Sequence, residues 1–234
     1  MSPTLVLFDL DGTLVDSLPD IAGALNHALG ELGRAPVALD VVRTLVGEGV
    51  LRLAEKALAQ QAAPPVEPAP PVEPALPVEP ALLAERIRVR YGEAPCVASR
   101  LYPGIAEVLA GLRADPERRL AVLTNKPGDV ARALLEALGV AGRFAAIIGD
   151  GDGFPRKPDP AAARALMTRF AVAPERTLLV GDGIPDMQVA AAAGCAAAAA
   201  LWGYTPRELL LAEQPAHCLE TPADLLALVG ARSG

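Results

Sequence analysis

Four short apolar runs constrain this chain more than any other feature: LVLF at 5–8, LAVL at 120–123, AAII at 145–148 and TLLVG at 177–181. Each is too short for a helix core and is followed by Gly or polar residues, which is the pattern of buried parallel strands. Helical periodicity lies between the later runs. Val130, Leu134, Leu135 and Leu138 mark one face, and Gly139 offers the positive φ that ends a helix. Strand and helix alternating at this spacing predict an α/β fold with a doubly wound, mostly parallel sheet. Ligands of such sheets sit beyond the carboxyl ends of the strands. The residues directly after each run are therefore the ones to inspect.

The interval between the first and second runs is far too long for one crossover. Ser17-Leu-Pro-Asp20 reads as a capping box, and Leu18, Ile21, Leu25, Leu29 and Leu32 then form one apolar helical stripe. Further helices are expected from Val50 to Gln60 and from Leu82 to Tyr91. The resulting division is a core of residues 1–14 and 96–234 and a helical cap of residues 15–95 placed over the strand ends. Within the cap a six-residue repeat, PVEPAP followed by PVEPAL, makes about 64–81 a proline-rich loop, since proline at this density lacks the amide donors of helix or sheet.

Composition narrows the partners. Hydrophobic residues make up 52% of the 234, too many for a disordered chain. The net charge of −7, without a basic run, argues against nucleic acid. No membrane partner is expected either. The uncharged stretch from Met187 to Pro206 is mostly alanine and is interrupted by Gly194 and Gly203, so a helix ending at Gly194 and a short buried strand fit it better than a membrane span. Cys96, Cys195 and Cys218 have no metal-ligand or disulfide spacing and read as buried thiols of a cytoplasmic protein.

Asp9 and Asp11 close the first strand with one residue between them, in Asp9-Leu10-Asp11-Gly12-Thr13. Side chains at i and i+2 share a side, so both carboxylates can converge there. Such a pair repels unless a cation lies nearby, and oxygen-only ligands favour Mg2+. Asp182, after TLLVG, reaches the same sheet edge, and Asp186 follows one helical turn later, where it can orient a water, a ligand or a lysine. Thr124 and Asn125 follow LAVL, placed to hold phosphate oxygens at the start of the next helix. Lys157, in Arg156-Lys157-Pro158-Asp159-Pro160, supplies a cation before another helix.

Taken in order, DLDGTLVDS, Thr124, Lys157 and GDGIPD resemble the four signature motifs of the haloacid-dehalogenase-like superfamily. The resemblance covers nearly the whole chain. It implies an Mg2+-dependent phosphomonoester hydrolase in which Asp9 becomes an aspartyl-phosphate and Asp11 acts as acid and base. Asp9, the Asp11 main-chain carbonyl and Asp182 would bind the metal, Thr124, Asn125 and Lys157 the phosphate, and Asp186 would support them. Asp11 separates this chain from the dehalogenases. TLVGEGVLRLAEKAL, RLYPGIAEVLAGL, LTNKPGDVARALLEALGV and FPRKPDP look most like bacterial phosphoglycolate phosphatases, implying a small phosphorylated metabolite, 2-phosphoglycolate, as substrate. A sugar-phosphate phosphatase or phosphomutase on the same core is the alternative, followed by a non-catalytic binding protein on this fold. Two residues depart from the family pattern. Gly183 stands where serine is common. Glu48 stands where asparagine is frequent, and an acid there opposes an anionic substrate unless it points away or pairs with Arg43 or Arg52.

Overall fold

The computed structural model describes residues 2–62 and 78–230. The expected sheet is present. Its strands are β1 (Leu5–Phe8), β4 (Arg119–Pro127), β5 (Ala146–Asp150), β6 (Thr177–Gly181), β7 (Ala196–Ala200) and β8 (His217–Leu219). They lie in the order β5-β4-β1-β6-β7-β8, and every registered pair is parallel. The chain builds outward from β1 to β5, then returns across β1 to build the other half. The order thus reverses at β1, which is where an open α/β sheet leaves a crevice at its carboxyl edge.

Alternation along the strands divides the core between two faces. Val6, Phe8, Leu120, Val122, Leu178 and Val180 pack towards α5 (Ile105–Arg113), α6 (Gly128–Ala137) and α10 (Pro222–Gly230). Leu5, Leu7, Ala121, Leu123 and Leu179 pack towards α7 (Ala161–Phe170), α8 (Ile184–Ala193) and α9 (Arg207–Ala212). Both faces of β1 are buried, so its four apolar residues need no polar partner position. The alanine-rich stretch resolves as α8, ended by Gly194 at φ 78°, and the strand β7. Among the described residues no helix is long and apolar enough to cross a membrane.

Between β1 and β4 lies a helical layer with its own apolar cluster: α1 (Leu18–Glu31), α2 (Leu39–Leu45), α3 (Val50–Ala62) and α4 (Pro80–Glu93). The stripe of Leu18, Ile21, Leu25 and Leu29 is buried there against Leu53, Ala54, Leu83 and Ile87. Val130 of α6 and Tyr204, after β7, join the same cluster from the sheet side. The chain enters and leaves this layer through a two-stranded antiparallel pair, β2 (Val15–Asp16) and β3 (Arg100–Leu101), in which Val15 faces Leu101.

Several local expectations are corrected. Ser17 and Asp20 form no capping box. The Ser17 hydroxyl turns back to Asp11, and the Ser17 and Leu18 amides donate to the Tyr204 hydroxyl at 2.9 and 3.0 Å. The Asp20 carboxylate instead accepts from the amides of Val97, Ala98 and Ser99 and from the Ser99 hydroxyl, tying α1 to the chain returning from α4. That long-range competition is invisible in a four-residue motif. Helix α4 starts at Pro80, two residues earlier than expected, because proline is well tolerated in a first turn. Of the loop expected at about 64–81, residues 64–77 lie outside the described residues. Cys96 and Cys195 are only partly buried and Cys218 is exposed, in place of the three buried thiols expected.

Candidate active site

Asp9 leaves β1 at its carboxyl end, where its amide donates to Val180 O of β6 at 2.9 Å. Its Oδ1 accepts from Lys157 Nζ at 2.7 Å, and the same ammonium reaches Asp186 Oδ1 at 2.6 Å. Lys157 therefore bridges two acids brought from opposite ends of the sequence. Burial alone would lower its pKa, but the Asp186 and Asp9 carboxylates outweigh that and raise it. Asp186 is also the third residue of α8, and its Oδ2 accepts from the Gly183 amide at 3.0 Å. One carboxylate thus serves both as a helix-start acceptor and as a lysine partner.

Asp182 follows β6. Its Oδ1 accepts from the Thr13 hydroxyl at 2.7 Å and its Oδ2 from the Tyr204 amide at 2.8 Å. Gly12, at φ 88°, passes so close to this carboxylate that a Cβ there would lie 2.2 Å from Asp182 Oδ2. The glycine is required both by its backbone conformation and by the space it leaves.

Asp9, Asp182 and Asp186 each offer an oxygen, and those oxygens lie within 4.8 Å of one another. Burial, then the Asp9 carboxylate, push Asp182 and Asp186 upward, against the hydrogen bonds they accept. Three crowded carboxylates with one shared lysine make a donor set made wholly of oxygen, which suits a hard divalent cation. The residues present fit such an ion. Asp9 and Asp182 are the side chains that the resemblance assigned to a metal, with Asp11 entering only through its main-chain carbonyl; the carboxylate of Asp186 lies beside them, and that of Asp11 is turned to Lys126.

Asp11 has its own partners. Lys126 Nζ donates to its Oδ1 and Oδ2 at 2.9 and 3.1 Å, and the Ser17 hydroxyl donates to Oδ1 at 2.5 Å. The cation that relieves this second acid is therefore a lysine. Lys126 received no role from the sequence, although its place directly after Thr124 and Asn125 on a strand end was a usable signal. Strand β4 runs on to Pro127 with an irregular register after Leu123, so Thr124 and Asn125 sit on the strand and not at a helix start. Thr124 Oγ1 accepts from the Lys126 amide at 3.2 Å. The Asn125 amide, expected to meet phosphate, is held by protein: Nδ2 donates to Gly47 O and Lys157 O, both at 3.2 Å, and Oδ1 accepts from the Lys157 amide at 2.8 Å. It fastens the Lys157 segment and the turn after α2 to the end of β4.

A cavity of about 80 Å³ opens above these groups. Asp9, Asp11, Thr124, Asn125 and Lys126 line it from the sheet, and Ile21, Val50, Leu53, Ile87, Arg88 and Tyr91 from the helical layer. Glu48 does not line it: its carboxylate turns to Lys56 at 2.6 Å and to Arg52 at 3.8 Å.

Comparison with known proteins shows the family of the chain. Residues 3–194 match the family description of haloacid dehalogenase-like hydrolases. The chain belongs to that family. This hydrolase is 38% identical over 231 residues to a phosphoglycolate phosphatase of Pseudomonas putida, with 97% of the chain and 79% of the relative covered. It is 36% identical over 232 residues to the phosphoglycolate phosphatase of Escherichia coli, covering 96% and 92%. A crystal structure described as a predicted phosphoglycolate phosphatase of Haemophilus somnus superposes on it with a TM-score of 0.84, at 32% identity and with 97% and 98% covered. The hydrolase is an enzyme by this membership, and its relatives are phosphatases.

Proposed function

We propose that this hydrolase is an Mg2+-dependent phosphomonoesterase working through an aspartyl-phosphate on Asp9, and that its substrate is 2-phosphoglycolate. The observation that carries the reading is the position of the Asp9 carboxylate. It stands at the reversal point of the sheet, bordered by Lys157 and two further buried acids, and opens to a small cavity. The names of the relatives supply the substrate.

In the first half-reaction an Asp9 oxygen attacks phosphorus, the bond from phosphorus to the ester oxygen breaks, and Asp11 gives the leaving alkoxide a proton. In the second, Asp11 takes a proton from water, the resulting hydroxide attacks phosphorus, and the phosphorus bond to Asp9 breaks, restoring the carboxylate. Lys157 meets charge developing on the phosphoryl oxygens, and Thr124 offers a hydroxyl beside them. Asp9, Asp182 and the Asp11 main-chain carbonyl would hold Mg2+, with Asp186 completing the acidic surround; the ion supplies charge neutralisation for the phosphoryl group. Asp186 and Asn125 act on Lys157, the one through its ammonium and the other through its backbone. Helices α1 to α4, within residues 15–95, form a cap that closes over the site, while residues 1–14 and 96–234 carry the chemistry. Three free thiols agree with a cytoplasmic setting.

Asp9→Asn is the direct test. It should lower phosphate release from 2-phosphoglycolate by at least ~10³-fold while leaving the melting transition in place. Full turnover by the purified variant would remove the nucleophile and the reading with it.

A further inference from the structure

The reaction explains Lys157 but leaves the second buried lysine of the site without a task. Lys126 is only 8% exposed, yet it lines the cavity. Its ammonium lies against the Asp11 carboxylate and 4.1 Å from the ring centroid of Tyr91, which α4 brings from the helical layer. The other cationic side chain lining this cavity, Arg88, is far more exposed and is drawn outward to Glu85 at 3.0 Å and Asp129 at 3.5 Å. The remaining cap wall is largely apolar, with Ile21, Val50, Leu53 and Ile87. A carboxylate entering such a space without a cationic partner pays a large desolvation cost.

We propose that Lys126 is a specificity-determining residue that binds the carboxylate of a short phosphorylated hydroxy acid. This rests on the phosphatase reading above. In that reading Asp11 must touch the ester oxygen, and in 2-phosphoglycolate a single methylene separates this oxygen from the substrate carboxylate. The cation already lying on Asp11 is consequently beside the place where the carboxylate falls. A sugar phosphate puts hydroxyl-bearing carbons there and gains nothing from the charge. Tyr91 covers the ammonium with a ring face, a softer partner than a carboxylate and one that keeps water away from the pair.

The test compares 2-phosphoglycolate with ethyl phosphate, which has the same ester bond and a methyl in place of the carboxylate. Lys126→Met should slow both, because it also releases Asp11, but kcat/KM for 2-phosphoglycolate should fall ~10-fold or more further than for ethyl phosphate. Lys126→Arg should keep most of the preference. Equal losses on the two substrates in Lys126→Met would overturn the proposal and reduce Lys126 to a support for Asp11. Calorimetry on the unmodified protein guards against a variant that does not fold: 3-phosphonopropionate should bind ~10-fold or more tightly than propylphosphonate. Indistinguishable affinities would also overturn it. A wild-type protein that releases phosphate from neither ester sinks the phosphatase reading instead, a separate outcome from an active enzyme without the carboxylate preference.

Discussion

Single residues decide whether the acidic centre forms. Gly12 combines a φ of 88° with a Cβ position 2.2 Å from the Asp182 carboxylate. Gly12→Ala should therefore destabilise the protein by about 2 kcal/mol or more, from the left-handed backbone and the displaced acid together, and should lower turnover by ~100-fold. Denaturant unfolding and phosphate release check the two halves, and a variant with native stability would show that Asp182 has room to move. Asp9, Asp182 and Lys157 could be singled out from the sequence because each follows an apolar run at a strand end or precedes a helix. The partners of Asp11 could not. Its contact with Lys126 joins residues 115 positions apart, and the Ser17 hydroxyl is claimed by Asp11 in place of the helix it seemed to cap. Short motifs report local hydrogen-bonding options, and here the tertiary partner won.

At the scale of elements, strands and helices with strong apolar periodicity were readable, and short or composite ones were not. β1, α1 and α6 each bury four or more apolar residues, and β6 is buried along its whole length. α2, with seven residues and only Val42 and Leu45 buried, carries too few to stand out. β2 and β3 are two residues each and exist only as a pair. The contact that holds α1 to the return crossing is the Asp20 carboxylate. Partial burial pushes its pKa up, but donors from Ser99, Ala98 and Val97 outweigh this and leave it below the ordinary carboxyl value. A depressed folded-state value means stability that is present above the unfolded pKa and is lost as pH falls through the folded one. Asp20→Ala should accordingly cost about 1 kcal/mol near neutral pH, with the difference from wild type shrinking in that acidic window. Urea unfolding at several pH values measures it, and a pH-independent difference would contradict the assignment.

Across the whole molecule, groups from the ends of β1, β4 and β6, from the loop before α7 and from the helical layer meet at one crevice, and the acids among them repel in the absence of a counterion. A divalent ion bound to the folded state relieves that repulsion. Added Mg2+ at about a hundred times its dissociation constant should raise stability by about 2.7 kcal/mol, a melting shift of roughly 5–10 °C for a chain of this size. Chelation by EDTA should reverse the shift. An unchanged melting temperature across the titration would remove the ion from the acidic cluster. The overall α/β arrangement was readable because buried apolar strands alternate with amphipathic helices, whereas the order of the strands in the sheet came only with the structure. The cavity was not, since its walls come from helices whose apolar faces look alike whether they meet a sheet, one another or a ligand.

The antiparallel pairing of Val15–Asp16 with Arg100–Leu101 has a consequence for heredity as well as for mechanics. The two ends that excision of the intervening segment would leave are already hydrogen-bonded neighbours, so a tight hairpin could splice them with no rearrangement of the sheet beneath. A segment of other length could be joined at this seam without a break in the sheet, provided that it replaced the holds on Asp11, Asn125 and Lys126 that Ser17, Gly47 and Tyr91 now supply.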